Sequence, residues 1–199
     1  PGKGRAHDWA HAAFLALFEA EARVHGSSIE KVHLHEAGAE DALVDVVGTC
    51  LGLEALGVET LTCTTPIPLG GGTIHCAHGT MPVPAPAVAE LLAGLDTTGG
   101  PIQKELVTPT GAALLRALVS RFGAPPRMKI VAQGFGAGTR NSKELANVLR
   151  GLLGEELGAG DESSPDERQV ALLETQIDDM LPQDVPALIE RLLGEGARD

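Results

Sequence analysis

The stretch "VHLHEAGAEDALVDVVG", residues 32–48, brings two histidines and several carboxylates together within a short length of chain. If residues 31–36 are extended, His33 and His35 point to one face, since alternate side chains of a strand share a face. Two imidazoles at this separation suit a borderline divalent metal ion such as zinc or nickel. The spacing therefore predicts a metal site, although two exposed histidines without a ligand explain it equally well.

The helix predicted directly after these histidines carries a second polar group. Asp41 and Asp45 are four residues apart and so share a face of that helix, and Gly48 and Gly52 continue the same face. Two acids and two glycines on one face would admit a ligand or the close approach of another backbone. The alternative is that Asp41 only caps the helix.

A third group lies in "PLGGGTIHCAHG", residues 68–79, which combines a triple glycine with sulfur and nitrogen ligands. Successive glycines leave backbone N–H groups free to approach an anion, so the candidates for phosphate binding are Gly70, Gly71 and Gly72. Beyond them, Cys76 and His78 share a strand face, and a thiolate beside an imidazole binds nickel, zinc or copper. The alternative is a glycine hairpin with an inert, buried cysteine.

The stretch "VTPTGAAL", residues 107–114, has the residues of a helix start, with Thr108 at the N-cap and Pro109 at the first helical position. A helix N-terminus attracts anions through its free N–H groups and its dipole. The hydroxyls of Thr108 and Thr110 are therefore predicted to contact a phosphate or a carboxylate. A well-capped helix without a ligand is the alternative.

Two further groups could bind charged ligands. "GFGAGTRN", residues 134–141, lacks the GxGxxG spacing of a dinucleotide site, but Arg140 could pair with a phosphate or carboxylate. In "ETQIDDM", the acids Glu174, Asp178 and Asp179 form a hard-oxygen set suited to Mg²⁺ or Mn²⁺. A solvated acidic strand end explains these acids equally well.

The composition argues against several classes of function. The 199 residues carry a formal net charge of -12, with four Phe, one Trp and no Tyr, which disfavours nucleic-acid binding. No apolar run approaches the ~20 residues of a membrane span, so no membrane association is expected. Three widely spaced cysteines argue against a disulfide framework and predict a cytoplasmic protein.

The elements predicted from periodicity alternate between helices and strands, which predicts an α/β fold, with a mixed α+β arrangement as the variant. Helices are expected over residues 6–25, 40–56, 86–93 and 108–122. Strands are expected over residues 31–36, 60–66, 71–83, 103–107 and 127–140. Residues 145–154 are predicted as a further strand, with a helix as the alternative.

A linker is predicted at "GAGDESSPDER", residues 158–168, because it is small, charged and free of large apolar side chains. We therefore expect an N-terminal domain over residues 1–157 and the truncated start of a C-terminal domain over residues 169–199. In that second part a strand ends in acids and a helix follows over about residues 183–193. Both ends of the chain are expected to be cuts in a longer polypeptide.

Five blocks of the sequence, in their order and spacing, resemble the LarC-type nickel-insertion family. They are "VHLHEAGAEDALVDVVG", "PIPLGGGTIHCAHGTMPVPAPA", "ELVTPTGAALL", "GFGAGTRNSKELANVLR" and "LETQIDDMLPQDV", and the match extends over roughly residues 20–195. The resemblance implies insertion of nickel into pyridinium-3,5-bisthiocarboxylic acid mononucleotide. The product is the nickel-pincer nucleotide cofactor of lactate racemase and related enzymes. It also implies a nickel chelatase, or cyclometallase, of the lyase class that uses CTP with Mn²⁺ or Mg²⁺.

Within that resemblance the candidate residues divide by their chemistry into three roles. Nickel binding is expected from His33, His35, Glu36, Cys76 and His78. Binding of the substrate phosphate is expected from Gly70, Gly71, Gly72, Thr108, Thr110 and Arg140. Binding of the nucleotide and Mn²⁺ is expected from Glu174, Asp178 and Asp179. No residue is assigned a catalytic role.

The chain departs from the family pattern in three respects. It lacks an opening strand with an "SGISGDM"-like segment, and it lacks the histidine-rich tract that many members carry. The C-terminal domain is implied to be ferredoxin-like, to bind CTP and to form a homo-oligomer, but only its first residues are present. We therefore expect this chain to be inactive by itself.

Two other classes of function remain open at the level of sequence. One is a non-catalytic nickel-binding metallochaperone module, which would give up its metal once and would not turn over. The other is a nucleotide-binding regulatory domain whose histidines are structural, which would bind no nickel.

Overall fold

The computed structural model describes residues 4–32, 39–76, 79–139, 143, 145–157, 190–191 and 194. The chain divides into two units, Pro1–Gly158 and Ala159–Asp199. The predicted linker over residues 158–168 lies outside the described residues, as does nearly all of the chain after it. The predicted domain boundaries therefore remain a prediction, and the fold below is that of the first unit.

The longest helix, α1, runs from Arg5 to His25, which confirms the helix predicted over residues 6–25. Its sequence is rich in alanine, the residue with the highest helix propensity. It ends at Gly26, which adopts the left-handed conformation with φ 58°. The N–H of Ser27 then donates to the carbonyl of Ala22 at 2.9 Å, the bond of a Schellman cap. Local sequence explains the helical conformation of this stretch and its C-terminal end.

Three further helices pack on α1: α2 (Ala39–Ala55), α3 (Pro86–Leu91) and α4 (Pro109–Leu118). Small residues on the buried face of α1 permit the close approach of these helices. One core cluster consists of Leu17, Ala20, Ile67, Ala85, Val88, Leu91, Leu92, Ala112 and Ala113. A second consists of Ala6, Ala10, Ala13, Val46 and Cys50. Apolar burial in these clusters holds the helices together.

The strands form four sheets of two strands each within the described part of the chain. The parallel pairs join β1 (Thr62–Thr64) to β6 (Arg121–Gly123) and β2 (Ile67–Pro68) to β5 (Thr97–Thr98). The antiparallel pairs join β3 (Thr73–Cys76) to β4 (Gly79–Pro82) and β7 (Met128–Ala137) to β8 (Val148–Glu156). A 3-10 turn spans Ile29–Lys31. Helices with small sheets confirm the mixed α/β fold class.

In the ribbon of β7 and β8, residues 148–154 of the stretch predicted over 145–154 form a strand and not the alternative helix, while residues 145–147 lie before it. A bulge between Ile130 and Ala132 shifts its register. At the last residue of β8, both carboxylate oxygens of Glu156 accept hydrogen bonds from the guanidinium of Arg121 at 2.7 Å. This hydrogen-bonded pair lowers the pKa of Glu156 and raises that of Arg121. The ribbon exposes large apolar side chains, namely Ile130, Val131, Phe135, Val148, Leu149 and Leu152.

The predicted helix over residues 108–122 begins where expected but ends early, so its last turn is a wrong prediction. The N–H and the hydroxyl of Ser120 both donate to the carbonyl of Leu61, at 2.9 and 3.0 Å. Arg121 and Phe122 then pair with Thr62 and Cys63 as β6. Pairing with a strand from a distant part of the chain thus overrides the helical periodicity of this stretch.

The predicted strand over residues 103–107 is also wrong. Only Glu105 forms an isolated bridge, and its partner is Gly70. Residues 103–107 pack against the glycine loop and do not pair with a strand. Gly70 and Gly72 have positive φ values, so the loop is not extended and cannot form a continuous set of strand hydrogen bonds with these residues.

The predicted strand over residues 31–36 does not begin at Lys31, which ends the 3-10 turn. Val32 is extended, with φ -76° and ψ 136°, but the stretch from His33 to Gly38 lies outside the described residues. Among the described residues no helix is both long and apolar enough to cross a membrane.

Candidate functional site

The glycine loop, Gly70–Gly72, is packed against the backbone of residues 103–106. Gly70 and Gly72 have φ values of 87° and 76°, which favour glycine. A Cβ built on Gly70 would collide with the carbonyl of Lys104, and one on Gly72 would lie 3.1 Å from the carbonyl oxygen of Gln103. Two of these three glycines are therefore required by the close approach of another backbone segment.

The hydrogen bonds of the loop lead to the same conclusion. The N–H of Gly71 donates to the carbonyl of Lys104 at 3.3 Å. The N–H of Leu106 donates to the carbonyl of Leu69 at 3.0 Å. The N–H of Gly71 is therefore used within the protein.

The start of α4 lies next to this loop, because Leu106 pairs with Leu69 and stands only two residues before Thr108. The side chain of Thr108 accepts a hydrogen bond from the N–H of Gly111 at 3.2 Å, which confirms its predicted role as N-cap. Pro109 occupies the first position, where its missing N–H costs nothing. Thr110 is half-buried in the first turn. The glycine loop and this helix start form one local assembly.

Replacing Thr108 with alanine should lower the free energy of unfolding by about 1 kcal/mol, because the N–H of Gly111 loses its acceptor. Urea denaturation followed by circular dichroism measures the change. Thr110→Ala is the matched control in the same turn, and it should change the urea concentration at the midpoint of unfolding only slightly. If Thr108→Ala lowers the free energy of unfolding no more than Thr110→Ala does, the hydrogen bond of the cap adds nothing to stability.

The hairpin of β3 and β4 extends from the same loop, and the N–H of Val83 donates to the Gly72 carbonyl at 3.0 Å. Cys76, one of the predicted nickel ligands, is half-buried at the end of β3, and its thiol donates to the carbonyl of Gly79 at 3.4 Å. His75 is exposed on the other face, with its Nδ1 2.9 Å from the hydroxyl of Thr80. Cys76 therefore lies on the same assembly as the glycine loop and the start of α4.

The other two cysteines are poor candidates for metal or redox chemistry. Cys50 is completely buried in the core between α1 and α2, and burial raises the pKa of its thiol. Burial also raises the pKa of the Cys63 thiol. A raised pKa keeps the thiol protonated, and the thiolate is the form that binds metals.

Most of the other predicted site residues lie outside the described residues. They are His33, His35, Glu36, His78, Arg140, Glu174, Asp178 and Asp179. Their predicted roles remain predictions. In the parts of the chain that the structure describes, no group of three or more His, Cys, Asp and Glu side chains could hold a metal ion.

The face of α2 that follows the histidine pair is open to solvent. Asp41, Asp45, Gly48 and Gly52 are all exposed. A Cβ built on Gly48 or Gly52 would meet no atom within 4 Å. These two glycines therefore make no close contact with a neighbouring backbone among the described residues.

Two features of α1 were missed in the sequence. Glu54 of α2 accepts a hydrogen bond from the N–H of Ala6 at 3.1 Å, and so caps α1 from a distant part of the chain. No local pattern signals this contact. The second feature is His7 and His11 on one face of α1, which the four-residue spacing in "AHDWAHAAF" could have indicated.

The comparisons with known proteins agree with the five blocks of sequence. The family model described as "Nickel insertion protein" matches residues 2–199. A relative from Citrifermentans bemidjiense is 48% identical over 99% of this chain and 50% of its own length. One from Cyanothece is 47% identical over 98% of this chain and 49% of its own length. One from Desulfotalea psychrophila is 49% identical over 94% of this chain and 46% of its own length.

The names of these three relatives assign nickel insertion to them provisionally. This chain spans about half the length of the curated relatives it matches. The comparison with solved structures found no match. The family model covers nearly the whole chain, and the relatives share close to half of their aligned residues with it. The chain therefore belongs to the LarC-type nickel insertion protein family.

Proposed function

We propose that this chain is part of a cyclometallase that inserts nickel into pyridinium-3,5-bisthiocarboxylic acid mononucleotide. The observation that carries the proposal is the family match over residues 2–199. The local assembly of glycine loop, hairpin and α4 supports it, since these connected segments carry a thiol at the turn end of the hairpin and a capped helix N-terminus next to the glycine loop. Such an arrangement suits a substrate with one phosphate and a soft metal-binding group.

The proposed nickel ligands are His33, His35, Glu36, Cys76 and His78. Imidazole and thiolate groups suit Ni²⁺, and the thiocarboxylate sulfurs of the substrate suit it as well. Nickel is a substrate in this reaction, so the protein must first bind it and then release it to the mononucleotide. The experiment that tests catalysis is turnover by a longer form of the protein. A catalyst forms nickel-pincer nucleotide from excess substrate, whereas a metallochaperone transfers one equivalent of metal and stops.

The phosphate of the substrate is proposed to bind near the start of α4, with contacts from Thr108, Thr110 and Arg140 and from the glycine loop. Because the N–H of Gly71 already donates to Lys104, the remaining donors of the loop and helix must supply most of the binding. The side chains of Thr108 and Thr110 are accessible at least in part. Cys76, a proposed nickel ligand, belongs to the hairpin that extends from the same glycine loop.

Gly71→Val should weaken binding of the mononucleotide about tenfold while the protein stays folded. Gly71 has no positive φ, and a Cβ there would meet only the side chain of Gln103, at 3.1 Å. The side chain of Gln103 is exposed and can move, so the loop keeps its shape. The bulk of valine, however, narrows the approach of a ligand to the loop. Calorimetric titration with the mononucleotide measures the loss, and full affinity in a folded variant would exclude the loop from the site.

The CTP step is proposed to need Glu174, Asp178 and Asp179 together with sequence beyond Asp199. These three carboxylates suit Mn²⁺ or Mg²⁺, which would screen the charge of the nucleotide phosphates. They lie outside the described residues. The relatives are about twice as long as this chain.

We expect the 199-residue chain not to hydrolyse CTP, and a longer form extending past Asp199 to do so. The strand and helix predicted after residue 168 are too short to bury a core of their own, so the nucleotide site should be incomplete. A CTP hydrolysis assay with Mn²⁺ on both forms measures the difference. Turnover by the shorter chain would place the nucleotide site within these residues.

A further inference from the structure

The first two turns of α1 carry two histidines that the proposed insertion site does not use. His7 and His11 are four residues apart, and both are exposed. In an α-helix such residues are neighbours on one face, with Cβ atoms about 5–6 Å apart. Two imidazoles at that separation can reach one metal ion from the same side of the helix.

Asp8 provides a second observation that points to a metal. Its carboxylate Oδ1 lies 3.1 Å from Nδ1 of His7. When Nδ1–H donates to this carboxylate, the ring is held in the tautomer that leaves Nε2 with a free lone pair. A carboxylate on the outer nitrogen of a histidine is the usual partner of a metal-binding imidazole, because it orients the ring and makes it more basic.

The surroundings of the pair favour a cation. From Gly4 to Glu19 the only Lys or Arg is Arg5. Arg5 donates to the carbonyl of Val58 at 2.8 Å, and its guanidinium lies 5.4 Å from the centre of the Trp9 ring. At ~100° of rotation per residue, Arg5 and Trp9 lie on the flank of α1 opposite to the histidine pair. The positive charge is therefore directed away from the face that carries His7, Asp8 and His11.

We propose that His7 and His11 form a second, solvent-facing site for Ni²⁺, with Asp8 orienting the ring of His7. Two ligands leave the other coordination positions of the ion to water, so the ion should bind weakly and exchange fast. Those properties suit a site that collects nickel before insertion, and this role, unlike the binding itself, rests on the proposed function. A site for storage would need more ligands than this pair provides.

The test uses Ni²⁺ alone and separates this site from the proposed insertion site. The 199-residue chain carries His33→Ala, His35→Ala, Cys76→Ser and His78→Ala, and is titrated with Ni²⁺ in a calorimeter. We expect one weak binding event to remain. Asp8→Asn should weaken it about tenfold, as loss of an orienting partner does.

The matched control exchanges two side chains on the exposed face of α1, His11→Leu with Leu15→His. It keeps the composition of the helix and the number of histidines, and Leu15 is itself 42% exposed. It moves the imidazoles to eight residues apart, about 12 Å along the helix, which is too far to share one ion. We expect the exchange to weaken Ni²⁺ binding at least tenfold. No remaining binding event, or the same affinity after the exchange, would overturn the inference.

A second measurement does not depend on the folding of these variants. In the unaltered chain, the ring ¹⁵N resonances of His7 and His11 should shift or broaden together as Ni²⁺ is added beyond the first equivalent, which the tighter insertion site takes up. Those of His75, which is bound to Thr80, should respond less. Equal responses would overturn the site on α1. The proposed nickel insertion is tested separately, by turnover in a longer form of the protein. A failure of that assay would therefore leave the proposed Ni²⁺ site on α1 standing, and the reverse also holds.

Discussion

Gly70→Ala is expected to lower the free energy of unfolding by about 3 kcal/mol, enough to remove a large part of the stability of a typical domain. An alanine with φ near 87° costs about 1–2 kcal/mol, because its Cβ crowds the backbone. That Cβ would also collide with the carbonyl of Lys104, so the two segments must separate. Loss of the hydrogen bond between Leu106 and Leu69 should cost about 1 kcal/mol more.

Gly71→Ala is the matched control, one residue further along the same loop. Its φ is not positive, and its new Cβ would meet only the movable side chain of Gln103. We expect a loss below about 1 kcal/mol, within the range of ordinary surface substitutions. Urea denaturation of both variants, with the m-values compared, measures the difference. Equal stability of the two variants would mean that the loop is not packed against residues 103–106 in solution.

His33→Ala combined with His35→Ala is expected to weaken Ni²⁺ binding at the proposed insertion site by at least about a hundredfold, because loss of each ligand should cost no less than the roughly tenfold that loss of a ligand-orienting partner costs. The expectation rests on the alternation of side chains in an extended stretch and on the affinity of imidazole for nickel. Calorimetric titration with Ni²⁺, before and after blocking of thiols, separates the histidine and Cys76 contributions. The weak site proposed on α1 should remain in this variant.

His75→Ala is the control for that pair. His75 lies on the same hairpin as Cys76 but on the other face, and its ring is bound to Thr80. We expect nearly full nickel affinity in this variant. If the double histidine variant also keeps full affinity, the stretch from residue 32 to residue 48 is not the nickel site.

The sequence was most informative where structure depends on neighbouring residues. Thr108 and Pro109 marked the start of α4, because a cap and a proline at the first position act within one turn. Gly26 marked the end of α1 for a similar reason. The family was also readable in the sequence, since five blocks in the right order identify it without any geometry.

The tertiary structure decided the features that depend on segments far apart in the chain. The end of α4 is set by the bonds of Ser120 to Leu61, and the periodicity of residues 119–122 does not reveal them. The same holds for Glu54, which caps α1 through a contact 48 residues away.

The glycine loop shows most clearly how one pattern can have two causes. The triple glycine predicted a ligand cradle, and the sequence by itself determined only that some close approach or positive φ is required there. In the structure the close approach comes from the carbonyl of Lys104, and the N–H of Gly71 is bound to that same group. A glycine is needed wherever a Cβ would collide, whether the neighbour is a phosphate or another stretch of backbone. Only the path of residues 103–106 in space could show that backbone fills this position.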